Sequence, residues 1–319
     1  MIFSLLFAVN AVLPVDRLAM ADRLFNRGDY ERSLTEYRSL DGEKSIAGDE
    51  LYYRLGECCR MLGKKAEARK NFGELLNQFP MSKYADRSRL AKALCGTEAE
   101  QLSELKMLDS DEVEPSVRAA ALYRLGVLAK DAEALLRSVK IQPDGKYAAY
   151  ANFHRASILA KSSDAKSRRD AVSSLLAIAF GTDRTLAEEA LNLAAVQCYR
   201  EKRYSESASL FRRYLKTYPA GKHLSEVRRM AAWSEYLSGR YTEAIQLCGD
   251  GKSDDLAYVR AVSTQALGDN QKAVKYFEEY LENFPQGRYR ASAELPLSRI
   301  GFSMAEKAGD ALRALECAN

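Results

Sequence analysis

Histidine, cysteine and neighbouring carboxylates are the side chains of this sequence that could catalyse a reaction or bind a metal ion. The chain has only two histidines, His154 and His223. His154 has no matching cluster of Cys, Asp or Glu, and His223 replaces a tyrosine in a repeated motif, where we predict packing at a helix start. The pair Glu188-Glu189 falls in a helical stretch, where charged neighbours are usually solvated. The spacing of these residues therefore indicates no catalytic or metal site.

The sequence motifs of common enzyme classes are also absent. It contains no Gly-x-Gly-x-x-Gly fingerprint, Walker phosphate loop, His-Glu-x-x-His zinc motif or Gly-x-Ser-x-Gly nucleophile elbow. We therefore predict a protein that is not an enzyme and that binds no cofactor and no metal ion.

The composition is that of a folded helical protein with nearly balanced charge. The hydrophobic fraction of 47% is sufficient for a packed core, and 48 Lys and Arg against 44 Asp and Glu give a net charge of +4. This balance argues against a nucleic-acid partner, which would require basic charge concentrated on one face. Arginine pairs such as Arg168-Arg169 and Arg212-Arg213 are isolated, and we predict that they lie on solvated helix faces.

An internal repeat is marked by four similar junctions of the form Pro-x-Ser/Gly-basic-aromatic. They begin at Pro80, Pro143, Pro219 and Pro285, which lie 63, 76 and 66 residues apart. Each spacing is close to twice a repeat of about 34 residues, the length of one helix hairpin. The sequence therefore predicts a series of hairpins, with two hairpins between successive junctions.

Within three of these repeats, the same residue types recur at fixed offsets. Two helices that cross closely need a small residue on each, and an aromatic side chain fills the wedge between successive hairpins. Glycine in the intervening turns, as at Gly28, Gly239 and Gly268, adopts a left-handed conformation at little cost. The recurring residues are Gly56, Ala195 and Ala261 on the first helix, and Ala68, Ser207, Ala273, Phe72, Phe211 and Phe277 on the second.

These residues resemble the tetratricopeptide repeat (TPR) family, which has a small residue at position eight, Ala at twenty, an aromatic at twenty-four and Pro at thirty-two. The resemblance extends from about Val15 to Arg299. It implies an all-α, right-handed superhelical solenoid of about nine TPR-like helix hairpins. The repeat array would occupy residues 15–290, and C-terminal capping helices residues 291–319. Shortened second helices are expected within 83–142, and the sequence leaves open whether this stretch forms a hinge.

The cysteines fit the repeat better than a redox or metal site. Cys59 and Cys198 occupy the same inward repeat position, and Cys248 takes the place of the wedge aromatic. Adjacent Cys58 and Cys59 point in different directions in a regular helix and cannot readily form a disulfide. We predict that these cysteines are small buried hydrophobic side chains.

The first residues of the chain have a different character. Residues 1–14 are almost wholly apolar and resemble the apolar region of a secretory signal peptide, with small-residue cleavage patterns at 9–11 and 19–21. The alternative is an apolar N-terminal cap. No other stretch is long and apolar enough to cross a membrane, so no transmembrane span is expected after processing.

The Phe-Pro-x-Ser/Gly-basic-Tyr form of the junction resembles two families of bacterial cell-envelope TPR proteins. These are the periplasmic division coordinator of the Tol-Pal system and the lipoprotein of the outer-membrane β-barrel assembly machinery. The chain lacks the coiled-coil N-terminus of the first and the lipidated Cys of the second. The resemblance implies a scaffold of the periplasm or cell envelope in assembly or division. The alternatives are a cytoplasmic TPR scaffold or regulator and a glycan-binding accessory module of a cell-wall-processing system.

The TPR resemblance also implies a binding groove, because first-helix positions two, five, nine, twelve and thirteen line the concave face in that family. The expected partner is a peptide or helical segment of another protein. Trp233, the only tryptophan, falls in this set, and aromatic residues and Arg dominate binding hot spots. The alternative is that Trp233 packs against its neighbouring helix. The groove residues implied are Asn192, Val196, Tyr199, Arg200, Arg229, Trp233, Tyr236, Tyr258 and Val262.

Overall fold

A computed structural model of the protein describes residues 14–42, 46–300 and 306. Almost all of the predicted signal or cap segment 1–14, and most of the predicted capping helices 291–319, lie outside the described residues. Every regular element of the described residues is an α-helix, which confirms the predicted all-α class with its TPR-like helical hairpins. None of the described helices is both long and apolar enough to span a membrane.

The chain divides into two compact units, Met1–Ile158 and Leu159–Asn319, called here the first and second unit. The helices of the first unit are α1 (Pro14–Asn26), α2 (Tyr30–Ser39), α3 (Gly48–Met61), α4 (Lys65–Gln78), α5 (Ala85–Leu94), α6 (Glu98–Met107), α7 (Pro115–Ala129), α8 (Ala132–Ile141) and α9 (Ala148–Leu159), which ends at the unit boundary. In this unit, each helix from α1 to α7 packs against the helix that follows it.

The second unit is built in the same way, and residues 290–300 are also helical. The four Pro junctions follow α4, α8, α12 and α16. Successive junctions are therefore separated by four helices, which confirms the prediction of two hairpins between them. The helices of this unit are α10 (Ala165–Ala179), α11 (Arg184–Arg200), α12 (Tyr204–Thr217), α13 (Leu224–Leu237), α14 (Tyr241–Cys248), α15 (Asp254–Ala266) and α16 (Asn270–Asn283).

Close helix crossing explains the small residues of the repeat. A Cβ added at Gly56 would lie 2.5 Å from a ring carbon of Phe72, so α3 and α4 could not keep their separation with a larger residue there. Phe211 and Phe277 occupy the equivalent wedge and, like Phe72, have no solvent exposure. The predicted left-handed turns are confirmed, with φ of +84° at Gly28, +81° at Gly239 and +83° at Gly268.

The lengths of the second helices vary more than the repeat suggests. Helices α6 and α8 each have 10 residues against 14 in α4, α12 and α16, which confirms the shortening predicted within 83–142. Helix α14 has only 8 residues, which was not predicted. It stops because Gly249, with φ +56° and ψ −127°, takes a backbone conformation that residues with a Cβ rarely adopt. A hinge within 83–142 stays a prediction.

The five cysteines in the described part of the chain are unpaired thiols, and all are buried. Cys59 and Cys198 have no solvent exposure, and Cys248 is 3% exposed at the end of α14. This confirms the prediction of small buried side chains. Burial raises the pKa of the Cys248 thiol from its ordinary value of 9.0 to about 12, although the charge of Arg260 lowers it.

The raised pKa of Cys248 predicts a loss of stability in alkali. Because the folded state binds the thiol proton more tightly than the unfolded chain, this contribution is complete below pH 9 and is lost as the pH rises towards 12. Between about pH 8 and about pH 10.5, the wild-type protein should lose about 2 kcal/mol more unfolding free energy than Cys248→Ala. Urea unfolding monitored by Trp233 fluorescence measures both. A difference between the two proteins that stays constant across this range would contradict the prediction.

Candidate functional site

The junction after α16 is held by a hydrogen-bond network centred on the hydroxyl of Tyr280. This hydroxyl donates to Asp254 Oδ1 at 2.5 Å and accepts from the backbone N–H of Tyr289 at 3.0 Å. The second oxygen of Asp254 accepts from the backbone N–H of Arg288 at 2.9 Å. One carboxylate at the start of α15 therefore fixes the end of α16 and the beginning of the helical segment at 290–300.

The junction after α12 has the same network. Tyr214 donates to Glu188 Oε1 at 2.5 Å and accepts from the backbone N–H of His223 at 3.3 Å, and Glu188 also accepts from the backbone N–H of Lys222 at 3.0 Å. The sequence-based prediction that Glu188-Glu189 is a solvated pair is wrong, because both side chains are only partly exposed and hold this junction. His223 packs at the start of α13, as predicted.

The glycine of these junctions is required by the tyrosine hydroxyl. A Cβ at Gly221 would lie 2.7 Å from the Tyr214 oxygen, and a Cβ at Gly287 would overlap the Tyr280 oxygen. Neither distance leaves room for a side chain, so the tyrosine hydroxyl requires a glycine seven residues later in both junctions.

The junction after α4 has equivalent hydrogen bonds that are made by different residues. Leu75 stands where the other two hairpins have tyrosine, and Ser82 stands where they have glycine. The Ser82 hydroxyl donates to Asp49 Oδ2 at 2.6 Å and accepts from the backbone N–H of Tyr84 at 3.0 Å. It therefore makes the two hydrogen bonds that the Tyr280 hydroxyl makes after α16.

The last residue of the junction folds back onto the first helix of the preceding hairpin. Tyr289 stacks on Tyr258 with ring centroids 4.5 Å apart and an interplanar angle of 10°. His223 instead places Nε2 3.1 Å from both carboxylate oxygens of Glu189. Burial opposes ionisation of Glu189, but hydrogen bonds from Lys222 and His223 outweigh it and lower the pKa of this carboxyl.

Tyr289 also belongs to a cluster of rings around the single tryptophan of the chain. The ring centroid of Trp233 lies 5.5 Å from that of Tyr289, 5.9 Å from that of Tyr236 and 6.1 Å from that of Tyr258. All four side chains are partly exposed. These four rings, together with Arg229, form what is called here the aromatic surface of the second unit.

Asp255 fixes the orientation of the aromatic surface. Its Oδ1 accepts from Trp233 Nε1 at 3.1 Å and from the Tyr289 hydroxyl at 2.6 Å, and it lies 3.9 Å from Arg229 Nη1. Burial, followed by the hydrogen bond to Asp255, raises the pKa of Tyr289 to about 12, so its hydroxyl stays a donor at neutral pH. The polar edges of Trp233 and Tyr289 are therefore satisfied within the protein, while both side chains stay partly exposed.

Four of the nine groove residues implied by the sequence come together in the aromatic surface: Arg229, Trp233, Tyr236 and Tyr258. Burial raises the pKa of Tyr199, and the positive charge of Arg229 partly offsets that rise. The ring of Tyr199 contacts Tyr204 at 5.4 Å between centroids.

The remaining groove residues have other surroundings. Asn192 is partly exposed, and Val196 packs against the core around Phe211. Arg200 is exposed at the end of α11, and Val262 is only 7% exposed in the core around Phe277. Tyr289 was not among the implied groove residues. Its place could have been found from the junction motif, because its stacking partner Tyr258 precedes it by 31 residues, just as Tyr53 precedes its stacked partner Tyr84.

The described residues contain no group of three or more His, Cys, Asp and Glu side chains placed to hold a metal ion. The aromatic surface consists of four aromatic rings and the guanidinium of Arg229, with the carboxylate of Asp255 beside them. Aromatic side chains and Arg are the groups that often dominate protein interfaces.

Comparison with known proteins identifies the repeats. The tetratricopeptide repeat family profile matches residues 50–82 and 257–287, which cover the hairpins α3–α4 and α15–α16 with their junctions. No curated protein matches the chain.

The solved structures similar to the chain include the following two. One is the C-terminal part of a TPR repeat-containing protein from Cytophaga hutchinsonii, with 14% identity, a TM-score of 0.44, and coverage of 86% of this chain and 98% of that one. Another is the structure of Naa15/Naa10 bound to HypK-THB, with 14% identity, a TM-score of 0.42, and coverage of 95% of this chain and 42% of that one.

The hairpins at 50–82 and 257–287 thus match the tetratricopeptide repeat. Stacked repeats of this kind present extended surfaces for protein binding, so the general role that they imply is that of a protein–protein interaction scaffold.

Proposed function

We propose that this protein is a non-catalytic scaffold of the bacterial cell envelope, with a role in assembly or division, which holds a peptide or helical segment of a partner protein on its aromatic surface. The observation that carries the proposal is a cluster of four partly exposed rings, in which Tyr236, Tyr258 and Tyr289 each contact Trp233. Trp, Tyr and Arg are the residues that most often dominate the energy of protein interfaces.

Preorganisation favours binding at this surface. Because Asp255 already holds Trp233 and Tyr289 by hydrogen bonds, these rings lose little side-chain freedom when a partner arrives. Ordering a free side chain at an interface costs roughly 0.5–1.5 kcal/mol, and a preorganised ring avoids most of that cost.

The position of the partner can be tested by photo-crosslinking in native cells. A benzophenone amino acid in place of Tyr236 should give one dominant protein adduct, identified by mass spectrometry. The control places the same probe at Lys275 on α16, whose side chain is 72% exposed. Adducts from position 275 alone would move the binding surface to the second helices, and an adduct carrying glycan would favour the accessory module of a cell-wall-processing system.

Removal of the tryptophan ring tests the same surface by its energy. Trp233→Ala should weaken the interaction with the crosslinked partner about thirtyfold or more, because hot-spot truncations cost about 2 kcal/mol or more. Trp233→Phe, which keeps a ring but loses the hydrogen bond to Asp255, should lose less. Isothermal titration with the identified partner segment measures both. Equal affinity of the wild-type protein and Trp233→Ala would refute the aromatic surface as the binding site.

The envelope location rests on the apolar residues 1–14 and on the form of the Pro junction. Cell fractionation, with mass spectrometry of the N-terminal peptide, tests it. A mature chain that begins after residue 11 or 21 in the envelope fraction would support the proposal. An intact Met1 in the cytosolic fraction would favour the cytoplasmic scaffold or regulator instead.

A further inference from the structure

A second feature of the second unit, separate from the aromatic surface, is a cleft of about 670 Å³ where α10 begins and α11 ends. Its walls come from the loop before α10, the first turns of α10, the last turn of α11 and the turn into α12. A volume of this size is typical of a site for a small ligand or a few peptide residues. The charged residues that line the cleft are Lys161, Arg168, Arg169, Arg200, Arg203 and one acid, Glu201.

The single carboxylate is already neutralised by protein groups. Arg168 Nε lies 2.9 Å from Glu201 Oε1, and Arg203 Nη1 lies 3.3 Å from Oε2. The Glu201 side chain is 14% exposed. Arg168 also donates to the carbonyl oxygens of Ser162 and Ser163 at 2.9 and 2.7 Å, which fixes the loop at the rim of the cleft. Glu201 is therefore a structural partner of two arginines and offers little repulsion to an anion.

Three cations of the cleft have no acidic partner among the described residues. Lys161 and Arg200 make no ion pair there, and the hydrogen bond of Arg169 goes to the carbonyl oxygen of Ala165 on its own helix, at 3.4 Å. Five basic residues against one acid leave an excess of four positive charges in the lining. A concave surface of one sign focuses its field and attracts an oppositely charged ligand.

Gln197 indicates which kind of anion fits. This residue borders the cleft, is 2% exposed, and donates from Nε2 to Glu201 Oε1 at 3.3 Å. Because a carboxylate can only accept, this contact assigns the amide orientation and leaves Gln197 Oε1 as the acceptor end. That oxygen is buried and has no hydrogen-bond partner. A buried acceptor without a donor is unfavourable, so a ligand that supplies a donor there is favoured.

We infer that this basic cleft binds an acidic segment of another protein, rich in Asp and Glu. Carboxylate side chains would pair with Arg169, Arg200 and Lys161, since a guanidinium binds a carboxylate through two parallel hydrogen bonds. A peptide also carries backbone N–H groups, which are the kind of donor that Gln197 Oε1 lacks. Phosphate groups at neutral pH supply mainly acceptors, so free phosphate and the phosphodiester groups of a nucleic acid match the arginines but do not supply the donor that the Gln197 oxygen lacks.

The test uses the full chain and a fluorescein-labelled hexaglutamate peptide, with binding followed by fluorescence anisotropy at low salt. The double variant Arg169→Glu/Arg200→Glu should bind about 10- to 100-fold more weakly than the wild-type protein. The matched control Lys216→Glu/Lys275→Glu makes the same change in net charge at two exposed positions elsewhere in the second unit, and should bind within about twofold of the wild type. Circular dichroism melts establish that both variants are folded.

The outcomes separate this site from the alternatives and from the aromatic surface. Equal losses in the two double variants would show attraction by net charge alone and would overturn the inference. It would also be overturned if inorganic phosphate or a short single-stranded oligonucleotide bound through Arg169 and Arg200 while hexaglutamate did not. Binding of hexaglutamate to Trp233→Ala should equal that of the wild type, so failure of the proposed aromatic surface leaves this result unaffected.

Discussion

The double substitution Arg212→Met/Arg240→Met is expected to lower the unfolding free energy of the second unit by about 3–5 kcal/mol. Both arginines contact Glu235, a carboxylate on α13 with no solvent exposure. Arg212 Nε on α12 lies 3.1 Å from Glu235 Oε1, and Arg240 Nε in the turn before α14 donates to Oε2. Without these partners, the protein would retain an uncompensated buried charge, which is much more costly than losing the ion pairs themselves.

The position of the tryptophan makes this experiment selective. Trp233, the single tryptophan of the chain, lies two residues before Glu235, so its fluorescence during urea unfolding reports on the second unit. The triple variant that adds Glu235→Leu should recover most of the lost stability, because it removes the buried charge and keeps an apolar side chain in its place. A loss of unfolding free energy below about 1 kcal/mol in the double variant, or no recovery in the triple variant, would contradict the prediction. Either result would show that the two arginines are not needed to compensate the buried charge of Glu235.

The ion pair of Arg212 shows where sequence reasoning stops. An isolated Arg-Arg pair is typical of a solvated helix face, and Arg212 is indeed half exposed. Its guanidinium nevertheless reaches a carboxylate 23 residues later, on the next helix. Arg168 likewise binds Glu201, 33 residues away. Contacts at these separations depend on helix crossing angles and rotamers, which no local pattern specifies.

The features that the sequence predicted well are those set by local physics or by the repeat itself. The left-handed turn at Gly239 needs a residue that tolerates a positive φ, which is a local requirement. Phe277 fills the wedge between one hairpin and the next, which is a requirement of the repeat. Prediction failed where a repeat departs from its own pattern. The early stop of α14 depends on Gly249, a glycine that periodicity alone did not mark as a helix end.

The candidate binding residues were predictable to a similar degree. The repeat position assigned Trp233, Tyr236 and Tyr258 to one surface, and the structure places their rings together. It did not find Tyr289, because a junction residue reaches that surface only by folding back over the preceding hairpin. The basic cleft was also missed, since its cations come from residues 161–169 and 200–203, which are separated along the chain and meet only through packing.

The junction residues provide the second strong prediction, a coupled exchange between positions 280 and 287. Tyr280→Leu removes a hydroxyl that bonds Asp254 and the backbone N–H of Tyr289, and Gly287→Ser places a Cβ against that same hydroxyl. Each substitution alone should cost about 1–3 kcal/mol of unfolding free energy. Together they reproduce the leucine and serine of the α4 junction, where the serine hydroxyl makes both hydrogen bonds.

The double variant should therefore be more stable than the sum of the single effects predicts, by about 1–2 kcal/mol. Urea unfolding followed by Trp233 fluorescence completes the cycle. Tyr280→Leu/Gly287→Ala, with the single variant Gly287→Ala, supplies the control, because alanine adds the same Cβ, whose overlap Tyr280→Leu relieves, but carries no hydroxyl. If serine and alanine gave equal coupling, relief of the steric overlap would be the whole effect, and the hydroxyl would contribute nothing. Greater coupling with serine would show that the repeat needs one hydroxyl beside the first acid of the hairpin, and that either residue can supply it.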